Sequence, residues 1–434
     1  MRNNKILFAL MILIVSVSLC GCNANISNNE EINKTESVEQ DIPKETPEKV
    51  QDEVLPKSDT EKYVPDKESG GYFSLIDEGL APEVKKQKHG TCWTNAATSS
   101  MEGVYFKQYQ EKISIDATDL CLSIFDDEKE EGWFVKKYKL DIGGWDWMVC
   151  GKLASGYDGY YLKHGRRYNE DGDEDKVKDA IKQYGPLTVE ICDNGQYQRM
   201  FHGYFTMNDN NFDNMDHEVI IIGWDDNFPK DYFQVPAKNN GAWLCQNSDS
   251  VAWGNEGTYW VSYESLVNFQ LIYDVTKEYS DVAYYDCGNE KCISTGETCT
   301  IANVFHKKGT LAAVGTYTQV DNQEYTIEIY DDNFEEKLAC VDGVKDIKGY
   351  HVVDLKEPLE VEDFAVVISY HGLAPVEGES VLMYDDYDYR AVSHEGESFV
   401  LYDDKWLDLS LKSTKEQLAL DFMPNNACIK ALYK

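Results

Sequence analysis

The chain has 434 residues, 42% hydrophobic and 12% aromatic, with 78 Asp and Glu against 41 Lys and Arg for a net charge of −37. That length holds two or three domains and that composition can fill their cores, which excludes a wholly disordered chain. The acidic excess excludes nucleic acid and polybasic adhesion to anionic lipid, because phosphate binding needs a basic face.

Residues 1–22 read as an export signal. Arg2 and Lys5 precede an apolar run of fourteen residues from Ile6 to Leu19, which spans only about 21 Å as a helix, short of a bilayer crossing. The run closes on Leu19-Cys20-Gly21-Cys22, which resembles a bacterial lipoprotein cleavage box. That resemblance implies cleavage ahead of Cys22, diacylation of Cys22 and an extracytoplasmic protein lipid-anchored to the cell membrane. Residues 23–70 contain 13 acids, 6 bases, four prolines and one aromatic, Tyr63. So polar a segment cannot offset its ordering entropy and is expected to be a disordered, extended tether.

From Cys92 to about Gln110 there is no Pro, and Met101, Val104, Tyr105 and Tyr109 recur at helical spacing. Gly90 and Thr91 supply a turn and a cap. Cys92 therefore opens a helix, where the macrodipole and free N–H groups favour a thiolate. Farther on, Val219–Ile222 reads as a buried strand with His217 at its entrance, and Asn247-Ser248 lie in a loop between two aromatic-rich strands. Of the eight histidines, His89 is too near Cys92 to be its base, His164 sits in a polar loop, and His202 lacks the apolar strand that follows His217.

In this order, Gln87, Cys92-Trp93, Asp216-His217 with its strand and Gly223, Asn247-Ser248 and Trp253-Gly254-x-x-Gly257 resemble the papain-like cysteine peptidases. Gly143-Gly144 resembles the family's paired glycines, and Lys178 to Ile191 resembles the helix, turn and strand that precede the histidine. The resemblance covers residues 71–275 and implies a two-lobed α+β fold, a helical half with Cys92 and a β-rich half with His217 and Asn247. It implies hydrolysis of proteins or peptides with Cys92 as nucleophile, His217 as proton carrier and Asn247 orienting the imidazole. Gln87 and the Cys92 N–H would bind the oxyanion. Gly143, Gly144 and Asp216 are expected at the substrate, and no metal or cofactor is called for.

Three departures accompany the resemblance. Gln87 and Cys92 are five residues apart, one fewer than the family's spacing. Thr94-Asn95 follow Cys92-Trp93 where a small and an aromatic residue are usual. Asp249 stands where a Trp shields the His–Asn bond, and a carboxylate there would favour the imidazolium or partner His217 itself. The competing reading is an inactive papain-like surface protein that binds peptides or glycans.

Two other features carry less. The loop Asn169–Asp175 is acidic but lacks EF-hand spacing, so it reads as solvated charge. Of the twelve cysteines, nine remain once Cys20, Cys22 and Cys92 are set aside, so at least one thiol is free or pairs with another chain. Cys287, Cys292 and Cys299 lack zinc-module spacing and read as disulfide partners or free thiols.

After Asp274 helical periodicity ends. Apolar runs at Leu311–Tyr317, Tyr325–Tyr330, Tyr350–Leu355, Phe364–Tyr370, Ser380–Tyr384, Phe399–Tyr402 and Cys428–Leu432 predict many short strands and an all-β sandwich over 283–434. Ile301–Phe305, Gly349–Leu355 and Phe364–Ile368 resemble the lectin-like domain found after bacterial papain-like peptidases. That implies glycans as a second ligand class, with Tyr384, Tyr387, Tyr389, Trp406 and the neighbouring Asp385, Asp386 and Asp388 as available groups. A purely structural module docked on the peptidase fits the same residues.

Overall fold

The computed structural model describes residues 62–125, 134–136, 146–168, 173–193, 195–209, 215–265, 270–288, 291–378, 387–389 and 391–434. The signal segment with Cys22, the tether to residue 61, Gly143, Gly144 and the expected strand Ser380–Tyr384 lie outside the described residues.

The first half carries four helices, α1 Cys92–Tyr109, α2 Ala117–Ile124, α3 Asp146–Ala154 and α4 Glu174–Tyr184. Its strands are β1 Tyr72–Ser74, β2 Phe134–Lys136, β3 Tyr161–Tyr168, β4 Leu187–Ile191, β5 Gln198–Phe201, β6 Tyr204–Met207, β7 His217–Asp225, β8 Ala242–Gln246, β9 Thr258–Ser262 and β10 Gln270–Thr276. The second half is built from β11 Asp281–Ala283, β12 Lys291–Ile293, β13 Thr298–Thr318, β14 Gln323–Asp331, β15 Lys337–Lys345, β16 Gly349–His371 and β17 Ala374–Gly378. It ends with β18 Tyr387–Tyr389, β19 Ser398–Tyr402, β20 Lys405–Asp408, α5 Lys412–Gln417, β21 Pro424–Ala427 and β22 Ile429–Tyr433.

α1 is buried on every side from Cys92 to Met101. Small residues there let neighbours approach, and their hydroxyls turn back on nearby carbonyls: Thr98 Oγ1 donates to Thr94 O at 2.8 Å and Ser100 Oγ to Pro186 O at 2.8 Å. Thr91 holds the cap position without capping; its hydroxyl donates to Lys88 O at 2.7 Å. Asn95, the polar departure, is buried and satisfied, its Nδ2 donating to Thr91 O at 2.7 Å and Thr91 Oγ1 at 3.0 Å. Part of the acidic loop is a helix start: Asp173 accepts from Lys176 N at 3.3 Å, and Glu174 and Asp175 occupy the first turn of α4, where the dipole favours anions.

In the β-rich half β7 is central, pairing antiparallel with β8 along one edge and with β4 and β1 along the other. It is buried from Glu218 to Asp225, which explains an almost unbroken apolar run.

The second domain departs from the expected short strands. β13 and β16 are 21 and 23 residues long and pair with each other from Thr298↔His371 to Thr318↔Gly349. β13 pairs with β19 in its first part and β22 in its second, and its register with β16 shifts between His306 and Gly309 and again between Leu311 and Ala313. The ladder runs on past the polar His306-Lys307-Lys308, because backbone hydrogen bonds are indifferent to side-chain polarity, and bends at the bulge there. One short helix, α5, interrupts the β structure. Cys292 and Cys299 are free thiols, both held above the ordinary thiol range by burial.

The two domains are joined as one body. β3 pairs with β16 through Arg166↔Gly349, Gly165↔Tyr350 and His164↔His351, and β2 pairs with β18. The core around α1, α2 and α3 includes Ala313, Tyr317, Tyr350, Val352 and Leu432 from the second domain. Close by, the ion pair Lys430–Asp286 is fully buried at 2.9 Å. Residues 62–70, which composition assigns to the tether, lie on the body: Tyr63 Oη donates to Asp225 Oδ2 at 2.7 Å and its ring meets Phe228 and Tyr232 edge-on.

Candidate active site

Three segments meet at the site. Lys85–Gln87 runs antiparallel to Ser248–Ser250: Gln87 N donates to Ser248 O at 2.6 Å, Ser250 N donates to Lys85 O at 3.0 Å, and Lys86 and Asp249 form the bridge between. The Gln87 side chain is tied to the same loop, its Oε1 accepting from Ser248 Oγ at 2.5 Å. Its Nε2 donates to His89 O at 3.3 Å, and His89 takes a left-handed φ of 63° to close the turn toward α1. Cys92, 5% exposed, opens α1 five residues after Gln87.

α1 packs against β7, whose first residue is the half-buried His217. Its Nε2 lies 2.9 Å from Asn247 Oδ1, and Asn247 is 2% exposed. The same Oδ1 accepts from Ser248 N at 2.7 Å, and Asn247 Nδ2 donates to Asp249 Oδ2 at 3.0 Å. Asp249, exposed, therefore contacts Asn247, the residue between it and the imidazole. The loop is shaped by Gly254 and Gly257, at φ of 59° and 87°; a Cβ on Gly254 would stand 2.6 Å from Thr258 O. Asn247 N donates to Gly257 O at 2.9 Å, which seats the Asn247 amide on that turn.

Asp216 directs its Oδ1 to Asp193 N at 2.8 Å, fixing the chain just before His217. The Asp193 carboxyl is pushed up by burial while the nearby His217 pulls it down; Asp216 and Asp249 raise it further. Asp193 and Ser248 are the residues that sequence reasoning passed over. For Ser248 the signal was present in the Asn-Ser pair, but a hydroxyl next to an Asp reads as an ordinary turn.

The chemistry open to these residues is thiol nucleophilic catalysis: a Cys at the start of a helix, an imidazole hydrogen-bonded to a neutral amide, and the Gln87 amide five residues before the Cys. A sequence profile of the lectin-like domain matches residues 283–433, and one of the papain family of cysteine proteases matches residues 127–275. The structure superimposes on the cysteine protease and lectin-like domains of Cwp84, a surface layer associated protein of Clostridium difficile, with a TM-score of 0.70 over 86% of this chain and 90% of that one, at 22% identity. The fold is a papain-like cysteine protease followed by a lectin-like domain. A second solved form of clostridial Cwp84, after propeptide cleavage, gives 0.70 at 21% identity and covers 84% of this chain and 99% of that one. Cathepsin L1 of Drosophila melanogaster is 26% identical over 195 residues, and human cathepsin L2 is 24% identical over 201, each covering 42% of this chain. The matches span about half of those relatives, 50% and 57% of their lengths. The papain profile begins after Gln87 and Cys92, so the local geometry, rather than the profile, speaks for those two residues.

Proposed function

We propose that this chain is a cysteine peptidase displayed outside the cell and anchored through a lipid on Cys22. The observation that carries the reading is the His217 Nε2 to Asn247 Oδ1 contact at 2.9 Å. It leaves Nδ1 of the same ring as the atom that can take the Cys92 proton. The thiolate attacks the substrate carbonyl carbon; the C–N bond breaks as the imidazolium gives its proton to the leaving amine. Water, deprotonated by His217, then attacks the thioester and releases the acid. Gln87 Nε2 and the Cys92 N–H would receive the oxyanion, a role in which one donor is worth about 10²–10³ in rate. Substrates are proteins or peptides. The surface-layer association of Cwp84 supports an extracytoplasmic place for this chain.

One observation favours the competing reading, a cleft that binds without cutting: Gln87 Nε2 is turned to His89 O at 3.3 Å. That bond is long and exposed, so a substrate carbonyl can displace it. For the second domain, the shared core favours a structural module over an independent glycan binder.

The test is labelling by a thiol-directed epoxide carrying a peptide arm, with Cys92→Ala as control. Stoichiometric modification of Cys92 together with Cys92-dependent cleavage of a peptide library is expected; an unlabelled Cys92 under reducing conditions rules the peptidase out. For the anchor, Cys22→Ser should move the protein from the membrane to the soluble fraction, and unchanged retention refutes lipidation.

A further inference from the structure

We infer that Asp249 is a positioning residue of this site: it holds the Asn247 amide in the one orientation that serves His217. The inference rests on reading Cys92 and His217 as the reacting pair.

The Asn247 amide is defined from both ends. The Ser248 N–H can only donate, so the atom facing it at 2.7 Å is Oδ1; the Asp249 carboxylate accepts, so the atom facing it at 3.0 Å is Nδ2. Reversing the amide would set N–H against N–H at one end and oxygen against carboxylate at the other. With Oδ1 fixed toward the ring, His217 must carry its proton on Nε2 to make the 2.9 Å bond, which frees Nδ1 for the thiol. Without Asp249, only the Ser248 N–H resists a flip of the amide, and a flipped amide presents a donor to Nε2 and selects the other tautomer.

The carboxylate is held in place by backbone. Residues 248–250 are zipped to Lys85–Gln87 by the two hydrogen bonds and the Lys86–Asp249 bridge. One short ladder thus carries both the oxyanion donor Gln87 and the acid that orients Asn247. Asp249 is exposed, so it reaches the buried amide without giving up its hydration. A hydrogen bond to a charged acceptor is stronger than a neutral one, and it polarises the amide so that Oδ1 accepts better from the ring. Where a Trp at this position keeps water from the His–Asn bond, an acid secures the same bond by pulling on the far end of the amide.

One other acid, Asp193, lies within coulombic reach of His217 and acts through space. The route from Asp249 runs through Asn247, which makes the two contributions separable.

The experiment follows alkylation of Cys92 by iodoacetamide across about pH 4 to 9, read on its own peptide by mass spectrometry, in full-length protein. It needs no turnover. Wild type, Asp249→Ala, Asn247→Ala, the double variant and His217→Ala are compared. With the Asn247 amide no longer held, the ring presents Nδ1 to the thiol less often, so at pH 6 Asp249→Ala should slow alkylation about threefold. In the Asn247→Ala background the same substitution should change nothing. Asp249→Asn, which keeps the shape and loses the charge, should shift the rate in the same direction with an unchanged Tm, excluding misfolding as the cause. An early thiolate that depends on His217 but not on Asp249 overturns the inference and leaves the peptidase reading standing. A loss of equal size in the Asn247→Ala background also overturns it, because Asp249 would then act directly through space. If Cys92 alkylates as an ordinary thiol and His217→Ala leaves its profile unchanged, the peptidase reading fails and the inference falls with it.

Discussion

Ser248 donates its hydroxyl to Gln87 Oε1 at 2.5 Å, and that bond decides which way the nitrogen of the amide faces. With the oxygen held on the loop side, Nε2 is left on the side of the turn that leads to Cys92. Ser248→Ala frees the amide to rotate, so kcat/KM on a peptide substrate should fall about tenfold, with most of the loss in kcat, as for an interaction made mainly in the transition state. Ser248→Thr keeps the hydroxyl and should restore most of the rate; equal losses in both variants would show that packing, rather than the hydrogen bond, matters there. Asn95 teaches a related lesson. A polar residue inside a buried helix looks like decay in sequence, but its Nδ2 finds two acceptors on Thr91 and is left satisfied.

At the scale of elements, the seam between β3 and β16 depends on one backbone position. Gly349 has φ of 131°, and a Cβ there would stand 2.1 Å from Gly165 O. A substituted residue meets both a left-handed backbone and the backbone of the partner strand, and neither can yield cheaply. Gly349→Val should cost about 2–4 kcal/mol, measured by urea unfolding, whereas Gly372→Ala tests the φ penalty alone, since nothing lies within 4 Å of its Cβ. Equal costs for the two would show that the seam tolerates the contact by moving apart. The elements of the first domain were largely legible: α1, β7, β8 and β9 fall where periodicity and turn residues placed them, and α4 and β4 where the papain-family resemblance implied a helix and a strand. β13 and β16 were not, because periodicity reports which residues are buried, while strand length is set by a backbone ladder indifferent to the charges of Lys307 and Lys308.

For the molecule as a whole, the joint between domains buries two histidines. His164 and His351 sit side by side across it, rings 5.6 Å apart. Burial, with Arg166 and His351 itself adding positive repulsion, pushes His164 down to about 2; burial and Lys345 push His351 down to about 3. Both rings are therefore neutral in the folded protein but take up protons near the ordinary value of about 6.5 once exposed. A lowered folded value means that stability is complete above about pH 6.5 and is lost as pH falls toward 3. Asp274, which burial pushes up to about 6, and Glu377, which burial pushes up to about 8, act in the opposite direction. Comparison with His164→Gln/His351→Gln removes their share. Between pH 6.5 and 5 the double variant should lose about 3 kcal/mol less unfolding free energy than wild type, the slope for each ring rising from half of about 1.4 kcal/mol per unit at pH 6.5 to nearly all of it at pH 5. Parallel losses would mean that water reaches the rings.

By itself the sequence determined the helix that opens at Cys92 and the strand that opens at His217, and its resemblance to two known families implied the order of the two domains. The helix and strand follow from local pattern. It could not determine what Asp249 touches, where Gln87 is anchored, or that the second domain completes the core around α1. Each of these depends on backbone segments distant along the chain coming side by side: Lys85–Gln87 against Ser248–Ser250, and β3 against β16. A hydrogen-bond ladder leaves almost no mark on the residues that form it, so only the tertiary structure could disclose them.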